Sequence, residues 1–168
     1  MNSQIIVTDD FYDIPYQYHK SFEEKHCFIT DETIGKISQI LGNSIKIVSA
    51  SNEIGNTSGV LAHLECDWIA VIYLTLPLES FGEFGLKFYS HLETGLEAFP
   101  TQEEMNKHQI NENELGRIFN SDLSLWKEYA NIPIKYNRIV LFRGNKWHSY
   151  DNESNNSMCY QKVIIKNI

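Results

Sequence analysis

The sequence predicts one α+β domain, mainly β, that is built on a sandwich or barrel. Many short runs rich in β-branched and aromatic residues recur along the chain, with turn-forming residues between them, which is typical of β structure. Helical patterns are gathered before and between these runs, which favours an α+β arrangement. A chain of 168 residues is long enough for residues 1–168 to bury the core of a single domain without disulfides.

The composition argues against two classes of partner. With 22 acidic and 14 basic residues, the formal net charge is −8, and no run of Lys and Arg forms a nucleic-acid-binding stripe. The amino terminus lacks a signal-peptide pattern, and the longest apolar run, around residues 68 to 78, is too short to span a bilayer. Three cysteines without a CxxC spacing fit free thiols. We therefore expect a cytoplasmic protein without a nucleic acid or membrane partner.

The N-terminal part of the chain predicts two helices and two strands. Pro15 suits the first turn of a helix, because the N–H that it lacks has no partner there. The next helix has Thr30 or Asp31 as its N-terminal cap, and Gly42 is placed to end it. The predicted strands are residues 4–8 and 44–50, and the turn-rich segment "SNEIGNTSG" follows them.

The next segment, residues 59–77, reads "GVLAHLECDWIAVIYLTLP" and predicts a strand with a polar start. Side chains in a strand alternate between its two faces, so His63, Glu65, Asp67 and Tyr73 share one face if no bulge intervenes. A purely structural strand rarely has so many polar groups on one side. This face therefore either meets water or lines a site.

The second half of the chain predicts three more strands and a helical insertion at residues 101–130. Thr101 and Glu104 form a T-x-x-E capping box, which predicts a helix from about residue 102. A second helix is predicted in "SDLSLWKEYA", with Ser121 as its cap. The strands are "GLKFYSHLETG", which runs into a turn, "YNRIVLF" and "YQKVIIKNI".

His63 and Glu65 have a spacing that suits a metal ion. Two side chains two residues apart on a strand point the same way from α-carbons roughly 6.5 to 7 Å apart, so both can reach one ion. The same spacing recurs at His91 and Glu93, so spacing alone does not identify a site. His148 follows a strand and the polar turn "RGNK", and a neighbouring strand can deliver it to the first pair. Two histidines and one carboxylate form the facial triad that leaves three positions open on non-haem Fe(II).

Four patches of sequence, taken in order, resemble one known family. They are "IIVTDDFYDIP", "HLECDWIAVIYLTLP", "GLKFYSHLETG" and "WKEYANIPIKYNRIVLFRGNKWHSY". The second resembles an H-x-D/E motif before an apolar strand that ends in Y-L-N/T. The fourth resembles a tryptophan helix, an N-R-hydrophobic strand and a distal histidine. On these patches the chain resembles the Fe(II)/2-oxoglutarate-dependent oxygenases of the double-stranded β-helix fold, within a short prolyl-hydroxylase-like branch.

The resemblance implies a double-stranded β-helix (jelly-roll) barrel with N-terminal helices and a helical insertion. It implies that His63, Glu65 and His148 hold Fe(II), with 2-oxoglutarate as cosubstrate. Such a dioxygenase activates O₂ to hydroxylate or oxidise an unactivated C–H bond of a small molecule or peptide side chain. The family takes no ligand from the strand that holds His91. Asp67, two residues after Glu65, stays a rival for the carboxylate ligand.

One position departs from the family pattern. The family has an Arg, or sometimes a Lys, on the strand after the distal histidine, where it pairs with the far carboxylate of 2-oxoglutarate. No Arg follows His148 in this chain, and Lys162 is the first cation after it. Arg143 and Arg138 on the preceding strand are alternatives, and Tyr73 could add its hydroxyl. Two other functions therefore stay open: a cupin-like metal-binding barrel, as enzyme or sensor, and a non-catalytic interaction domain that has lost the cosubstrate site.

The other conspicuous residues have structural interpretations. Trp68, Trp126 and Trp147 are expected in the core, where large aromatic side chains contribute most. Arg138 follows Asn137 and is expected to anchor the start of a strand.

Overall fold

The structure is a computed structural model that describes residues 4–23, 27, 29–54, 59–76, 84–120, 122–151 and 159–168. Its strands are β1 (Ile5–Thr8), β2 (Ile45–Ile54), β3 (Trp68–Tyr73), β4 (Gly85–His91), β5 (Trp126–Pro133), β6 (Ile139–Arg143), β7 (His148–Asp151) and β8 (Cys159–Asn167). Its helices are α1 (Pro15–Glu23), α2 (Asp31–Leu41), α3 (Gln102–Lys107) and α4 (Leu115–Ile118), and Glu112–Glu114 and Leu123–Leu125 form short 3₁₀ turns. No helix within these ranges combines the length and the apolar character that crossing a membrane requires.

The strands form two antiparallel sheets. The order of strands is β1-β6-β3-β8-β2 in the larger sheet and β5-β4-β7 in the smaller one. A bridge between Leu61 and His148 adds the segment before β3 to the smaller sheet, beside β7. The mainly β class predicted from the sequence is confirmed, and two antiparallel sheets with few helices are consistent with a double-stranded β-helix.

Two of the buried apolar clusters in the described residues cover the two faces of the larger sheet. The outer core packs the larger sheet against the helices and comprises Phe11, Tyr12, Ile37, Ile45, Trp68, Ala70, Ile72, Leu74, Ile139, Leu141, Val163 and Ile165. The inner core lies between the two sheets and comprises Ile69, Val71, Tyr73, Leu86, Phe88, Val140, Phe142, Tyr150, Tyr160 and Ile164. Fully burying one large apolar side chain stabilises a fold by about 1.5 to 3 kcal/mol, so each layer is held by several such contributions.

β3 shows how the sequence specifies these layers. It lies between β6 and β8, and all of its residues are buried, which suits the continuous apolar run "WIAVIY". Alternate side chains enter the outer core and the inner core, so one strand supports both. The three tryptophans, Trp68, Trp126 and Trp147, are buried as expected.

The helix signals in the sequence are confirmed. α1 begins at Pro15, and the hydroxyl oxygen of Thr30 caps α2 by accepting a backbone N–H of the first turn at 3.2 Å. Gly42 ends α2 with φ 69°, a left-handed conformation that glycine adopts without strain. α3 has the predicted capping box, in which the N–H of Thr101 donates to the Glu104 carboxylate at 2.8 Å.

The strand predicted over residues 59–77 is shorter than expected. β3 begins only at Trp68, and Glu65 lies in a turn. The prediction that His63, Glu65 and Asp67 share one face of a strand is therefore wrong. Backbone contacts with the turn between β6 and β7 hold this segment in a loop, and the next subsection describes them.

β2 is longer than predicted, because it continues to Ile54. Its pairing with β8 extends to Cys159 and includes residues that the sequence analysis assigned to a turn. The rest of that predicted turn includes residues 55–58, which lie outside the described residues.

The helix predicted in "SDLSLWKEYA" is wrong. Leu123–Leu125 forms a single 3₁₀ turn, and Trp126 begins β5. Pairing with β4 and packing of the Trp126 ring against Trp147, with ring centroids 4.9 Å apart, override the local helical pattern. Ser121, the predicted cap, lies outside the described residues.

Arg138 makes the anchor that was expected at the start of β6. Its Nε donates to Asp9 Oδ1 at 2.6 Å, and its Nη1 donates to the carbonyl of Pro133 at 2.9 Å. Lys135 adds a second cation, 2.6 Å from Asp9 Oδ2. The hydrogen bonds from Arg138 and then Lys135 lower the pKa of Asp9 to about 2. The end of β1 is therefore tied to the turn between β5 and β6.

We expect the stabilisation by Asp9 to depend on pH. Its pKa in the folded state, about 2, lies below the ordinary value of 3.8, so its ion pairs stabilise the fold above about pH 4 and lose this effect as the pH falls toward 2. Because the side chain is 34% exposed, solvent screening limits the contribution to about 1 kcal/mol. Urea denaturation should find Asp9→Asn less stable by this amount at pH 7 and nearly equal to the parent near pH 2.

Asp10→Asn is the matched control, because Asp10 makes no ion pair with any residue that the structure describes. A loss of stability in Asp9→Asn that is the same at pH 7 and pH 2 would contradict this account.

Candidate functional site

His148 begins β7 and lies fully buried beside the inner core. Its Nδ1 donates to the carbonyl of Lys146 at 2.8 Å, so Nε2 carries the lone pair of the neutral ring. The rings of Phe142 and Tyr150 pack edge-on at 4.8 and 5.4 Å from it. Burial lowers the pKa of His148 to about 3, so the ring is neutral at physiological pH. Within the described part of the chain, Nε2 is buried without a hydrogen-bond partner.

His63 lies directly beside His148. Leu61 and His148 exchange backbone hydrogen bonds of 2.8 and 3.0 Å, which aligns the segment before His63 with β7. The two imidazole rings stack with centroids 5.6 Å apart at an interplanar angle of 30°. The His63 side chain is 23% exposed, so it lies between the buried His148 and solvent.

Gly144 positions the loop that carries His63. Its carbonyl accepts the N–H of His63 at 2.7 Å, and its own N–H donates to the carbonyl of Asp67 at 3.2 Å. A Cβ at position 144 would lie 2.5 Å from Cys66 Sγ and 2.6 Å from the His63 carbonyl oxygen. Only glycine allows the backbone at position 144 to approach this loop so closely. Because of this contact, residues 63–67 form a loop and not the extended strand that the alternating pattern predicted.

Of the two rival carboxylates, the structure brings Glu65 to the histidines. His63 Nδ1 donates to Glu65 Oε1 at 3.1 Å. A hydrogen bond from its own backbone N–H, and then the His63 ring, hold the pKa of Glu65 below its usual range. Asp67 Oδ2 instead accepts the N–H of Asn167 at 2.9 Å, which directs it to the end of β8.

The three donors are close together but do not converge on one point. Glu65 is 63% exposed and bonded to Nδ1 of His63, and no described group of three His, Cys, Asp or Glu side chains forms a ready metal site. The chemistry of the donors nevertheless suits a metal. The unpartnered Nε2 of His148 is a free lone pair, and its Nδ1 makes the carbonyl contact that usually orients a ligating histidine. Metal binding by His63, Glu65 and His148 stays a prediction.

Lys162 lies on the same side of the larger sheet as His148. Its neighbours two residues away on β8, Tyr160 and Ile164, both belong to the inner core, and side chains two apart share a face. Its Nζ lies 3.4 Å from Glu53 Oε1 on β2, and its side chain is 24% exposed. The cation predicted to anchor 2-oxoglutarate therefore faces the site, but it already has a carboxylate partner.

The other three predicted anchors, Tyr73, Arg143 and Arg138, differ in position. Tyr73 is fully buried in the inner core, and burial raises its pKa. Arg143 lies on the outer face of the sheet, where its guanidinium carbon is 4.1 Å from the ring centroid of Trp68. Arg138 is occupied by Asp9. Of the predicted cosubstrate residues, the structure brings Lys162 and Tyr73 to the side of His148 and leaves Arg143 on the other side.

His91, the histidine of the second H-x-E motif, is packed. It is 2% exposed, its Nδ1 lies 3.2 Å from Thr94 Oγ1, and the rings of Phe119 and Trp126 pack edge-on at 5.0 and 5.1 Å. Burial lowers its pKa. These contacts agree with the expectation that His91 has a structural role.

Two charged residues near the site, Glu53 and Lys146, were not predicted from the sequence. Glu53 belongs to a segment that was predicted to be a turn. In the structure β2 continues through this segment, and Glu53 pairs with Tyr160 of β8. Lys146 is 2% exposed at its side chain and its Nζ donates to the Tyr129 hydroxyl at 2.7 Å. Its position two residues before His148 was the available signal, because such residues share a strand face.

Comparison with solved structures finds similarity to HygX from Streptomyces hygroscopicus. The TM-score is 0.53 against HygX with iron bound and 0.54 against HygX with nickel and 2-oxoglutarate bound. In both cases 98% of this chain and 83% of the HygX chain are covered, with 7% sequence identity. At this identity the similarity shows the fold alone. Comparison with curated protein sequences gave no match.

Comparison with protein families finds one match, over residues 63–162. This segment begins at His63 and ends at Lys162, and it includes Glu65 and His148, so it contains the whole candidate site. The match covers more than half of the chain. The chain therefore belongs to the family DUF6445, a family of unknown function.

Proposed function

We propose that this protein is an Fe(II)- and 2-oxoglutarate-dependent oxygenase that hydroxylates or oxidises an unactivated C–H bond of a small molecule or peptide side chain. The observation that carries the proposal is the buried, unpartnered Nε2 of His148 beside a second histidine. The fold supports it, because HygX, which has the same overall fold, has been crystallised with iron and with nickel and 2-oxoglutarate. HygX has also been crystallised with hygromycin B, a small molecule.

His63, Glu65 and His148 are the residues that would hold the metal. Fe(II), when bound, supplies the redox chemistry that activates O₂ and oxidises the C–H bond. The protein contributes a neutral imidazole ring at His148, since burial keeps this ring unprotonated and a ligating histidine must be deprotonated. To hold the metal, Glu65 would have to leave His63 Nδ1, and its 63% exposure leaves it room to turn.

The inner core controls access to the site. Phe142 and Tyr150 pack against His148 and exclude water from its inner side. On the other side His63 is partly exposed and Glu65 is exposed, so the substrate would approach there. Excluding water on one side and admitting substrate on the other suits an enzyme that must protect a reactive centre.

Lys162 is the residue that would hold the far carboxylate of 2-oxoglutarate. A carboxylate buried without a partner carries a desolvation cost of several kcal/mol, so the pocket needs a cation. Lys162 is on the face of His148, and the hydroxyl of Tyr73 lies in the same core. A lysine offers a point charge without the bidentate fork of arginine, so binding weaker than at an arginine site is expected.

One observation favours a second candidate function. Lys162 is already paired with Glu53, Arg138 is paired with Asp9, and Arg143 lies on the outer face of the sheet. A cupin-like metal-binding barrel, as enzyme or sensor, would need no cation free for 2-oxoglutarate. Turnover separates the candidates, because an oxygenase releases succinate, a cupin-like protein binds metal without doing so, and an interaction domain does neither.

We expect the protein to bind one Fe(II), or Mn(II) as an inert substitute, per chain. His63→Ala and His148→Ala should abolish binding, because each removes one of the imidazole ligands. Anaerobic titration calorimetry measures the stoichiometry, and circular dichroism checks that each variant is folded. His91→Ala is the matched control, since it removes a histidine from the other H-x-E motif. Unchanged binding in both His63→Ala and His148→Ala would rule out this centre.

The same titration identifies the carboxylate ligand. Glu65→Gln should weaken metal binding by about tenfold or more, about 1.4 kcal/mol, because it removes the negative ligand beside His63. Asp67→Asn should bind metal like the parent, since Asp67 is held at the end of β8. The opposite ranking would exchange the roles of the two residues.

Lys162→Met should weaken 2-oxoglutarate binding to the metal-loaded protein by about tenfold or more, about 1.4 kcal/mol, and leave metal binding intact. Arg143→Met is the control, because it removes a cation from the outer face of the same sheet. If Lys162→Met binds 2-oxoglutarate like the parent, or the metal-loaded parent does not bind it, the cosubstrate assignment fails and the cupin-like barrel becomes the better account.

A further inference from the structure

The ion pair between Lys162 and Glu53 is built into the pairing of β2 with β8. Ser51 lies opposite Lys162 and Glu53 lies opposite Tyr160, so the two β2 side chains share the face of Lys162. The Ser51 hydroxyl donates to Glu53 Oε1 at 2.6 Å, and Lys162 Nζ lies 3.4 Å from the same oxygen. Glu53 Oε1 therefore accepts a hydrogen bond from the Ser51 hydroxyl and also forms the ion pair with Lys162.

Both charges act on the inner side of the candidate site. Burial is the main cause of the low pKa of His148, and the positive charge of Lys162 adds to it. Burial likewise raises the pKa of Tyr150, and the negative charge of Glu53 is one of the neighbouring charges that add to it. Tyr150 packs edge-on against His148, and the ion pair lies on the inner face of the larger sheet, the face that bears the inner core.

We propose that Glu53 is an internal competitor for the carboxylate subsite at Lys162, so that an incoming carboxylate must displace it. The inference rests on the proposed function, because it concerns the lysine that would hold 2-oxoglutarate. With Glu53 in place, the subsite has no net charge and presents a carboxylate that repels a second one. The Glu53 side chain is 36% exposed against 24% for Lys162, so Glu53 can turn toward water while the cation stays.

This arrangement predicts that Glu53 weakens the binding of some 2-oxo acids and not of others. A partly exposed ion pair contributes at most about 1 kcal/mol, so displacing Glu53 costs little but weakens binding measurably. The cost applies only to ligands whose far carboxylate reaches Lys162. 2-Oxoglutarate has such a carboxylate, whereas pyruvate shares the 2-oxo acid group that would bind the metal and lacks the far end. Glu53 therefore affects the two ligands differently.

The test is calorimetric titration of the Mn(II)-loaded protein with 2-oxoglutarate and, separately, with pyruvate. Glu53→Gln should bind 2-oxoglutarate about two- to fivefold more tightly than the parent and leave pyruvate binding unchanged. Ser51→Ala, which removes the hydroxyl that holds Glu53, should shift 2-oxoglutarate binding in the same direction by a smaller factor. Ser51→Ala also carries the test if Glu53→Gln does not fold.

Glu128→Gln is the matched control. It removes the same charge from another strand ion pair, with Glu128 Oε2 3.6 Å from Lys87 Nζ on the smaller sheet. Lys87 lies between two residues of the inner core on β4, so its side chain faces away from the site. Tighter binding in this variant would indicate a general charge effect.

The outcomes separate the inference from the proposed function. If the parent binds 2-oxoglutarate and Glu53→Gln binds it equally or less tightly, the inference fails and the cosubstrate assignment stands. Equal tightening for pyruvate also overturns it. Binding by Glu53→Gln but not by the parent would mean that the parent does not use 2-oxoglutarate, so the cosubstrate assignment fails and the inference with it. If neither protein binds 2-oxoglutarate, the cosubstrate assignment fails and the inference with it.

Discussion

Gly144 allows two loops to meet where no side chain would fit between them. Its backbone bonds to His63 and Asp67 at both ends of the loop before β3, and a Cβ would collide with Cys66 Sγ. This contact places His63 beside His148 and leaves Glu65 at the surface next to it. His148 and Lys162 lie on strands. The positions of His63 and Glu65 depend instead on the close approach of the loop to Gly144.

The inner core combines aromatic packing with a few charged groups at its edge. His148 is kept neutral by burial and is oriented by the carbonyl of Lys146, which is the state that a metal ligand requires. Lys162 and Glu53 neutralise each other on the same side of the larger sheet. The pairing keeps the partly buried cation of Lys162 satisfied.

The parts of the fold that depend on local chemistry could be predicted from the sequence. Thr30, Gly42 and the Thr101 capping box act through neighbouring backbone groups, and the apolar run of β3 follows from burial on both faces. The two errors have a different origin. The loop at residues 63–67 depends on contact with Gly144, far along the chain, and β5 replaces a predicted helix because Trp126 packs against Trp147. The position of Arg143 on the outer face likewise follows only from the register of β6.

The central claim is that His148 Nε2 binds a metal together with His63 and Glu65. A crystal structure of the protein grown anaerobically with Mn(II) and 2-oxoglutarate tests it most directly. The account predicts one metal bound by Nε2 of His148, by His63 and by a Glu65 carboxylate that has left His63 Nδ1, with the far carboxylate of 2-oxoglutarate at Lys162. A metal bound elsewhere, or a His148 ring without metal under saturating Mn(II), would contradict it.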